Sequence, residues 1–481
     1  MFRSGMYLVT VLLAGSSLAF TQTPVAKVIH EFDGADKASP SSNLVQLTDG
    51  DFVGMVGAPI NESSNAGRIY LLKSDGSVET LYQFAADGSQ CASGAPNLTS
   101  TPGALTQASD GDFYGVCAAG GQFGMGSIFR FTASGRFTVL HSFNGSDGSH
   151  PAGALLEGLD GNLYGVTLNG GLDAEFGGTI FRLRKGGDFT TLWLFNAAAE
   201  NGASNPTAGL ALGPDGNIYG MFQLYQEFYG AFPGPGGIFQ IDYMGNVTFP
   251  GFFQSAPWAC APVISPKGTI FALQQASNFV GDNNQTFEDI PSGSTFANVV
   301  MNLPPYFDKE YVNFFGCMIL GTDGLFYANG ISAIAKPTHP FVELQLDPAA
   351  QQTHFFDLGP YGEEPVLSPL EASDGKLYIV NNGGGKYGLG NILTLDYGLK
   401  PPAPRIAAFR PASGSAGTNV TIGGALYVGV TSVTLNGLAV SFRNKGSSFI
   451  DFAVPPGATS GVITVTTAAG TATSADPFTV E

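Results

Sequence analysis

A short phrase built on an Asp-Gly pair returns seven times along the 481-residue chain. Its fuller forms are Asp49-Gly50-Asp51-Phe52-Val53-Gly54, Asp110-Gly111-Asp112-Phe113-Tyr114-Gly115, Asp160-Gly161-Asn162-Leu163-Tyr164-Gly165 and Asp215-Gly216-Asn217-Ile218-Tyr219-Gly220. It weakens to Lys267-Gly268-Thr269-Ile270-Phe271-Ala272, then returns as Asp323-Gly324-Leu325-Phe326-Tyr327-Ala328 and Asp374-Gly375-Lys376-Leu377-Tyr378-Ile379. The steps are 61, 50, 55, 52, 56 and 51 residues. A period near fifty residues marks a repeat architecture and constrains the fold more than any other feature.

Each unit carries four short runs rich in β-branched and aromatic residues, bounded by Gly, Pro, Asn or Asp. Unit 3 shows the order: Pro151-Ala-Gly-Ala-Leu-Leu, the Asp-Gly turn, Asn162-Leu-Tyr-Gly-Val-Thr, a Gly-rich loop, Thr179-Ile-Phe-Arg-Leu, and Phe189-Thr-Thr-Leu-Trp-Leu-Phe. No stretch sustains a 3.6-residue apolar period with caps, so almost no helix is expected. Four antiparallel strands per unit is the sequence form of a β-propeller blade. The segment Ala26-Lys-Val-Ile-His-Glu-Phe32 resembles a fourth strand with no partners before it, and the last unit ends after its third strand at Gly390-Asn-Ile-Leu-Thr-Leu. Pairing the two predicts a seven-bladed propeller over residues 26–398, closed by the N-terminal strand, with two exposed edges removed. The fifth unit, about residues 257–312, fits least well.

The leader Met1–Ala19 has Arg3 near its start, an apolar stretch at Tyr7–Ala14 and small residues at Ser17-Leu18-Ala19. It reads as a signal peptide, so the chain is expected to be secreted, periplasmic or at the cell surface, with no transmembrane segment once the leader is removed. Net charge is −18 with 12% charged residues, which disfavours nucleic acid as a partner. Four cysteines in an exported chain suggest disulfides. The blade layout favours Cys91–Cys117, within one unit, and Cys260–Cys317, between the starts of adjacent units. No Cys-x-x-Cys spacing supports a metal site.

Residues 399–404, with Pro401, Pro402 and Pro404, read as a stiff linker. Beyond it, strands are expected at Arg405–Phe409, Asn419–Ile422, Ser432–Leu435, Ala439–Phe442, Phe449–Val454, Gly461–Thr467 and Pro477–Val480. Seven strands in so short a stretch suggest an Ig-like β-sandwich.

Two resemblances follow from these residues. Residues 405–481 resemble an IPT/TIG domain through Pro411-Ala-Ser-Gly414-Ser-Ala-Gly417-Thr-Asn-Val-Thr-Ile-Gly-Gly, Val433-Thr-Leu-Asn436-Gly437, Val454-Pro455-Pro456-Gly457-Ala-Thr-Ser-Gly461 and Gly470-Thr-Ala-Thr-Ser474. The units, the second to fourth above all, resemble the Gloeo/Verruco tandem repeat through Gly178-Thr-Ile-Phe-Arg-Leu183, Phe189-Thr-Thr-Leu192, Gly209-Leu210 and Asp215–Gly220. That resemblance implies export and repetitive β structure, and carries no catalytic residue.

Several motifs have a chemical and a structural reading. Gly120-Gly121-Gln-Phe-Gly124-Met-Gly126 and Gly384-Gly385-Lys-Tyr-Gly388-Leu-Gly390 look like nucleotide loops, but a strand, not a helix, follows each. They are read as hairpin loops. The repeated Asp is read as a turn former; calcium is the alternative, best placed at Asn144-Gly-Ser-Asp147-Gly. His30, His141 and His354 share one repeat position with Tyr82 and Trp193, which points to packing on the outermost strand. Phe32, Phe84, Phe143, Phe195 and Phe356, two residues on, are expected in the core. Glu363-Glu364 and Asp308-Lys309-Glu310 are paired acids of the kind glycoside chemistry uses, and read more simply as solvated loops. Asn61 and Asn97 open glycosylation triplets. The candidate ligand-binding residues are Phe123, Phe176, Tyr225, Phe228, Tyr229 and Tyr387, aromatics in the loops between second and third strands. The expected function is non-catalytic binding of an extracellular glycan or surface protein through this loop face. The alternative is a polysaccharide lyase or glycoside hydrolase with acids at the propeller axis.

Overall fold

An antiparallel sheet forms around every one of the seven phrases, four-stranded in the first five units and five-stranded in the sixth and seventh, where the first strand is in two pieces. The computed structural model describes residues 23–33, 39–56, 67–85, 90–91, 104–172, 177–196, 203–224, 236–253, 257, 260–274, 286–302, 312–313, 317–332, 341–358, 361, 363–365 and 368–481. Among them every regular element is a strand. Unit 2 is representative: Leu105–Gln107, Phe113–Cys117, Ser127–Phe131 and Phe137–Ser142 pair in sequence order. The fifth unit, the least regular in sequence, still forms Val263–Ile264, Ile270–Gln274, Thr286–Ile290 and Asn298–Asn302.

The turn phrase explains itself locally. Gly50, Gly111, Gly161, Gly216, Gly324 and Gly375 have φ between 78° and 96°, which a side chain would resist. In each case the preceding Asp accepts the N–H two residues on, as in Asp160 Oδ1 from Asn162 N at 3.1 Å. In five units a Tyr stands four residues on and the second oxygen accepts its hydroxyl, at 2.8 Å for Tyr114 and Tyr164, 2.7 Å for Tyr219, 2.6 Å for Tyr327 and 3.1 Å for Tyr378. Burial and the adjacent carboxylate push these phenols up from their ordinary pKa, so each stays a donor. Where Lys267 replaces the Asp, Ser265 Oγ accepts Thr269 N instead.

The Gly that closes the phrase has a packing cause. Gly54, Gly115, Gly165 and Gly220 lie opposite Tyr70, Phe129, Phe181 and Phe239 on the third strand. A Cβ at any of the four would strike that ring. In the last three units Ala272, Ala328 and Ile379 face Glu288, Leu344 and Leu393, so a side chain appears where the ring is gone.

The apolar faces are buried between units, not within them. One cluster joins Ile69 and Phe84 of unit 1 to Phe113 and Phe129 of unit 2, and another joins Tyr114 and Phe143 of unit 2 to Leu163 and Phe181 of unit 3. The series continues through units 3–4, 4–5, 5–6 and 6–7. A further cluster joins Val380 and Ile392 of unit 7 to Phe52 and Tyr70 of unit 1, with Phe32 between them. Val25–Glu31 pairs antiparallel with Asn391–Asp396, from Val25 opposite Asp396 to Glu31 opposite Asn391. The N-terminal strand therefore supplies the fourth strand that unit 7 lacks. His30, Tyr82, His141, Trp193 and His354 all lie on such outermost strands, and Phe32, Phe84, Phe143 and Phe195 are buried while Phe356 is partly so.

Polar pairs add to these contacts at the inner edge. Glu157, three residues before its Asp, accepts Ser109 N at 2.6 Å from the preceding unit, and Lys185 Nζ lies 2.6 Å away. Glu371 accepts Thr322 N at 3.0 Å, and Gln46 accepts Ser373 N at 2.9 Å while donating to its hydroxyl at 2.9 Å. The same bond thus links units 2–3, 6–7 and 7–1. Both disulfides have the expected partners, Cys91–Cys117 and Cys260–Cys317, with Cα atoms 5.3 and 5.1 Å apart.

The first strand of unit 7 is split into Glu363–Pro365 and Leu370–Glu371. One strand expectation needs correction. In the C-terminal region the expected strand Ala439–Phe442 is two strands in different sheets. Leu438–Ala439 pairs with Ser432–Leu435 across an Asn436-Gly437 turn, whose φ values are 46° and 80°. Phe442–Asn444 pairs with Phe449–Ala453. Val440 enters the core between them, so the chain crosses from one sheet to the other there. A strand at Gly470–Thr473 also forms, pairing with Ile463–Thr467. The two four-stranded sheets share one core of Val420, Ile422, Val433, Leu435, Ile450, Phe452, Ile463 and Val465.

Removing the chain up to Glu31 would leave Asn391–Asp396 as an unpaired edge. The expected result is a Tm lower by on the order of 10 °C and self-association, read by thermal unfolding and size-exclusion chromatography. An unchanged monomeric profile would show that the terminal strand adds nothing to the sheet.

Candidate functional site

In each sheet the Asp-Gly turn joins the first strand to the second, so the loop from second to third strand leaves from the opposite end. Two of these loops have the same structure. In Gly120–Gly126, Gly126 N donates to Gly120 O at 3.1 Å and Gly124 N to Gly121 O at 3.4 Å. In Gly384–Gly390 the same bonds recur, Gly390 N to Gly384 O at 3.1 Å and Gly388 N to Gly385 O at 3.4 Å. All four glycines of each loop have φ between 69° and 103°, so the sequence pattern is a backbone requirement. The expectation of hairpin loops in place of nucleotide loops matches this geometry.

Each loop lifts one aromatic ring at the same position. Phe123 is 52% exposed and Tyr387 is 49% exposed. Glu31 Oε2 accepts Lys386 N at 3.0 Å, tying the Tyr387 loop to the N-terminal strand, and Lys386 Nζ lies 4.8 Å from the Tyr387 ring centroid. Ser142 Oγ accepts Gln122 N at 3.1 Å in the other loop. Each ring therefore stands on an anchored backbone. Phe176, Tyr225, Phe228 and Tyr229 lie outside the described residues, as do the leader, Asn61, Asn97 and Asp308–Glu310. For Glu363 and Glu364 only the backbone is described.

At the turn ends, the C-terminal sheets are seated on the repeat units. Arg405 Nη2 lies 2.9 Å from Glu371 Oε2, and its Nη1 donates to Leu320 O at 2.9 Å. The Arg410 guanidinium sits 4.4 Å over the Tyr243 ring. Gly423 approaches so closely that a Cβ there would come within 2.9 Å of Leu159 and Leu212. Sequence reading had no signal for these contacts beyond the polar residue recurring three places before the Asp.

The acid of the Asn144–Asp147 turn and His141 are engaged with each other. Asp147 Oδ2 lies 2.9 Å from His141 Nε2 and its Oδ1 accepts Asn144 N at 3.0 Å, a turn held by its own bonds. His141 stacks on Phe189 with centroids 3.8 Å apart, and burial lowers its pKa below the ordinary value. Among the described residues no group of three or more His, Cys, Asp and Glu side chains gathers as a metal site would. Glu157 and Glu371 serve the inter-unit bonds described above.

Glu343 is the exception, and sequence reading missed it. It occupies the third-strand position held by Ile128, Ile180 and Ile238 in other units, is 1% exposed, and neither carboxylate oxygen has a hydrogen-bond partner. Burial pushes its pKa well above the usual Glu value. The folded pKa exceeds the unfolded one, so its contribution to stability is full below about pH 4.5 and is lost as pH rises through the folded value. Glu343→Leu should raise stability at pH 7–8 by about 1–3 kcal/mol and leave it unchanged or lower near pH 4. Parallel denaturant curves for the variant and the parent across that range would refute this.

A family model described as the Gloeobacter/Verrucomicrobia repeat matches residues 96–256, the stretch that holds units 2 to 4. No curated protein matches the chain. Among solved structures, a fungal alcohol oxidase of the AA5 family in complex with copper is similar at 14% identity and a TM-score of 0.47, covering 92% of this chain and 97% of its own. A protein of unknown function from Dyadobacter fermentans is similar at 11% identity and a TM-score of 0.41, covering 77% of this chain and 96% of its own. A gluconolactonase from Xanthomonas campestris is similar at 11% identity and a TM-score of 0.36, covering 62% and 86%. None of these likenesses lends a residue or an activity to this chain.

Proposed function

We propose that the chain is an exported, non-catalytic binding protein: a closed seven-bladed β-propeller with a C-terminal Ig-like sandwich of the IPT/TIG type. Closure is supported by the series of inter-unit clusters that returns from unit 7 to unit 1, and by the Gln46–Ser373 bond that repeats the Glu157–Ser109 bond. The IPT/TIG reading rests on the Gly- and Pro-marked turns of residues 411–474 and on the shared core of the two C-terminal sheets. Export rests on the leader and on two disulfides, which suit an oxidising compartment. Among the described residues no helix is long and apolar enough to cross a membrane.

The observation that carries the binding role is the repeated Gly-framed loop with an exposed ring at its tip, Phe123 in one unit and Tyr387 in another. A ring held at a rigid turn presents apolar area at low entropic cost, as stacking on a sugar face or on a protein partner requires. The C-terminal sheets sit at the turn ends and leave these loops uncovered. The ligand class is an extracellular glycan or a surface protein. The lyase or hydrolase alternative draws no support from the described inner-edge acids, because Glu157 and Glu371 hold neighbouring units together.

The double variant Phe123→Ala/Tyr387→Ala should keep the parent Tm, since both rings are exposed. Its retention on a glycan array or on purified cell-envelope material should fall about tenfold or more. Full retention would remove this loop face as the binding site.

A further inference from the structure

The boundary between units 6 and 7 carries both the unpaired acid and an arginine that joins the repeat units to the C-terminal sheets. Tyr327 of unit 6 meets Leu377, Ile379, Leu393 and Leu395 of unit 7 there. Among the described residues this cluster buries no Phe, whereas those between units 1–2, 2–3 and 3–4 each bury two or more. Glu343 lies directly opposite Asn329 on the second strand of unit 6 and Phe356 on the fourth. Side chains directly opposite across antiparallel strands share a face, and Phe356 packs into the cluster with unit 7. The Glu343 carboxyl is therefore turned toward unit 7, with the residue 1% exposed and neither oxygen hydrogen-bonded.

The groups around it offer an anion no relief. On the same face of its own sheet are Tyr327, whose hydroxyl is held by Asp323, and His354, opposite Gln345. Across the boundary stands Tyr397, its ring centroid 5.5 Å from that of Tyr327, and the strand Glu363–Pro365 packs against the third strand of unit 6. Asp357 is opposite Val342 and so belongs to the other face. Among the described residues no Lys or Arg faces Glu343. Lys27 lies between Ala26 and Val28, which both enter the cluster, and Lys376 is held at the turn by Asp374 and Asp396. Burial keeps the carboxyl protonated above the usual Glu range. Once ionised, it is a buried charge without a partner, and parting of the two sheets is the route by which water reaches it. Arg405 straddles the same boundary. Its Nη1 donates to Leu320 O of unit 6 at 2.9 Å and its Nη2 to Glu371 Oε2 of unit 7 at 2.9 Å. Glu371 in turn accepts Thr322 N of unit 6 at 3.0 Å. Arg405 opens the first C-terminal strand, so the C-terminal sheets hold units 6 and 7 together at the turn end.

We propose that this boundary is a pH-gated seam: units 6 and 7 part there when Glu343 ionises, and Arg405 is the latch that limits the parting. The opening is local. It frees the facing strands of units 6 and 7 while the Phe-rich boundaries of units 1 to 4 stay shut. A guanidinium keeps its charge throughout, so the latch does not titrate with the acid it restrains. The seam does not depend on the binding role of the aromatic loops.

The test is amide hydrogen exchange of the full chain at about pH 6 and about pH 9, read by mass spectrometry and corrected for the intrinsic rate. Between the two, Phe326–Ser332, Phe341–Asp347, Leu377–Gly383 and Asn391–Asp396 should lose about tenfold more protection than Phe113–Cys117 and Ser127–Phe131 of unit 2. Glu343→Gln keeps the shape and cannot ionise, so it should abolish that difference. Glu343→Leu gives the same readout should the Gln variant not fold. Arg405→Ala should lower the protection of the seam strands about tenfold further at the higher pH and leave unit 2 unchanged. The seam is overturned if every unit loses protection alike in the parent, or if the difference survives in Glu343→Gln or Glu343→Leu. Seam strands as well protected in Arg405→Ala as in the parent would overturn the latch. Phe123→Ala/Tyr387→Ala should leave all of this unchanged, so failure here and failure of the loop face are separate outcomes.

Discussion

No repeat unit in this protein buries its own faces. The short strands of a unit make a sheet with two apolar sides, and every core cluster of the repeat region is shared by two consecutive units. The second-strand glycine serves this arrangement, because the third-strand ring lies over the place its side chain would take. Removing a ring such as Phe129 or Phe181 would therefore open a cavity between two units. The same mutual dependence explains the N-terminal strand. Without it, the last sheet would present an edge to solvent and Phe32 would leave the unit 7–unit 1 cluster.

This frame divides the molecule into two ends with different work. The turn ends are stiffened by Asp-Gly turns, by the Tyr hydroxyls on their carboxylates and by the inter-unit pairs at Gln46, Glu157 and Glu371. They also seat the C-terminal sheets through Arg405, Arg410 and Gly423. The loop ends carry the exposed rings. Most carboxylates described here therefore have a structural partner. Glu343 departs from the pattern, being a core position filled by an acid with no partner, between units 6 and 7.

Much of this was legible along the chain. The fifty-residue period, the Asp-Gly turns and the pairing of Val25–Glu31 with Asn391–Asp396 follow from repeat positions compared with one another, and the same comparison favours the two disulfides among the three possible pairings. The failures are equally specific. Residues 439–442 read as one strand because Val440 and Phe442 alternate with the small Ala439 and Ser441, and such alternation does not reveal a chain crossing between sheets. Gly470–Thr473 is short and polar and offers no periodic signal. Glu343 is silent in sequence because a charged residue at a strand position is usually assigned to the solvent face.

Local backbone chemistry, repeated at even intervals, was enough to determine the strands and turns of most repeat units and the partner of the N-terminal segment, because each depends on residues close in sequence or on the phase within a unit. The seating of the C-terminal sheets and the burial of Glu343 were decided only by tertiary structure. They arise where residues from several units and the C-terminal region, hundreds of positions apart, meet in space, and no pattern along one chain specifies which surfaces come together.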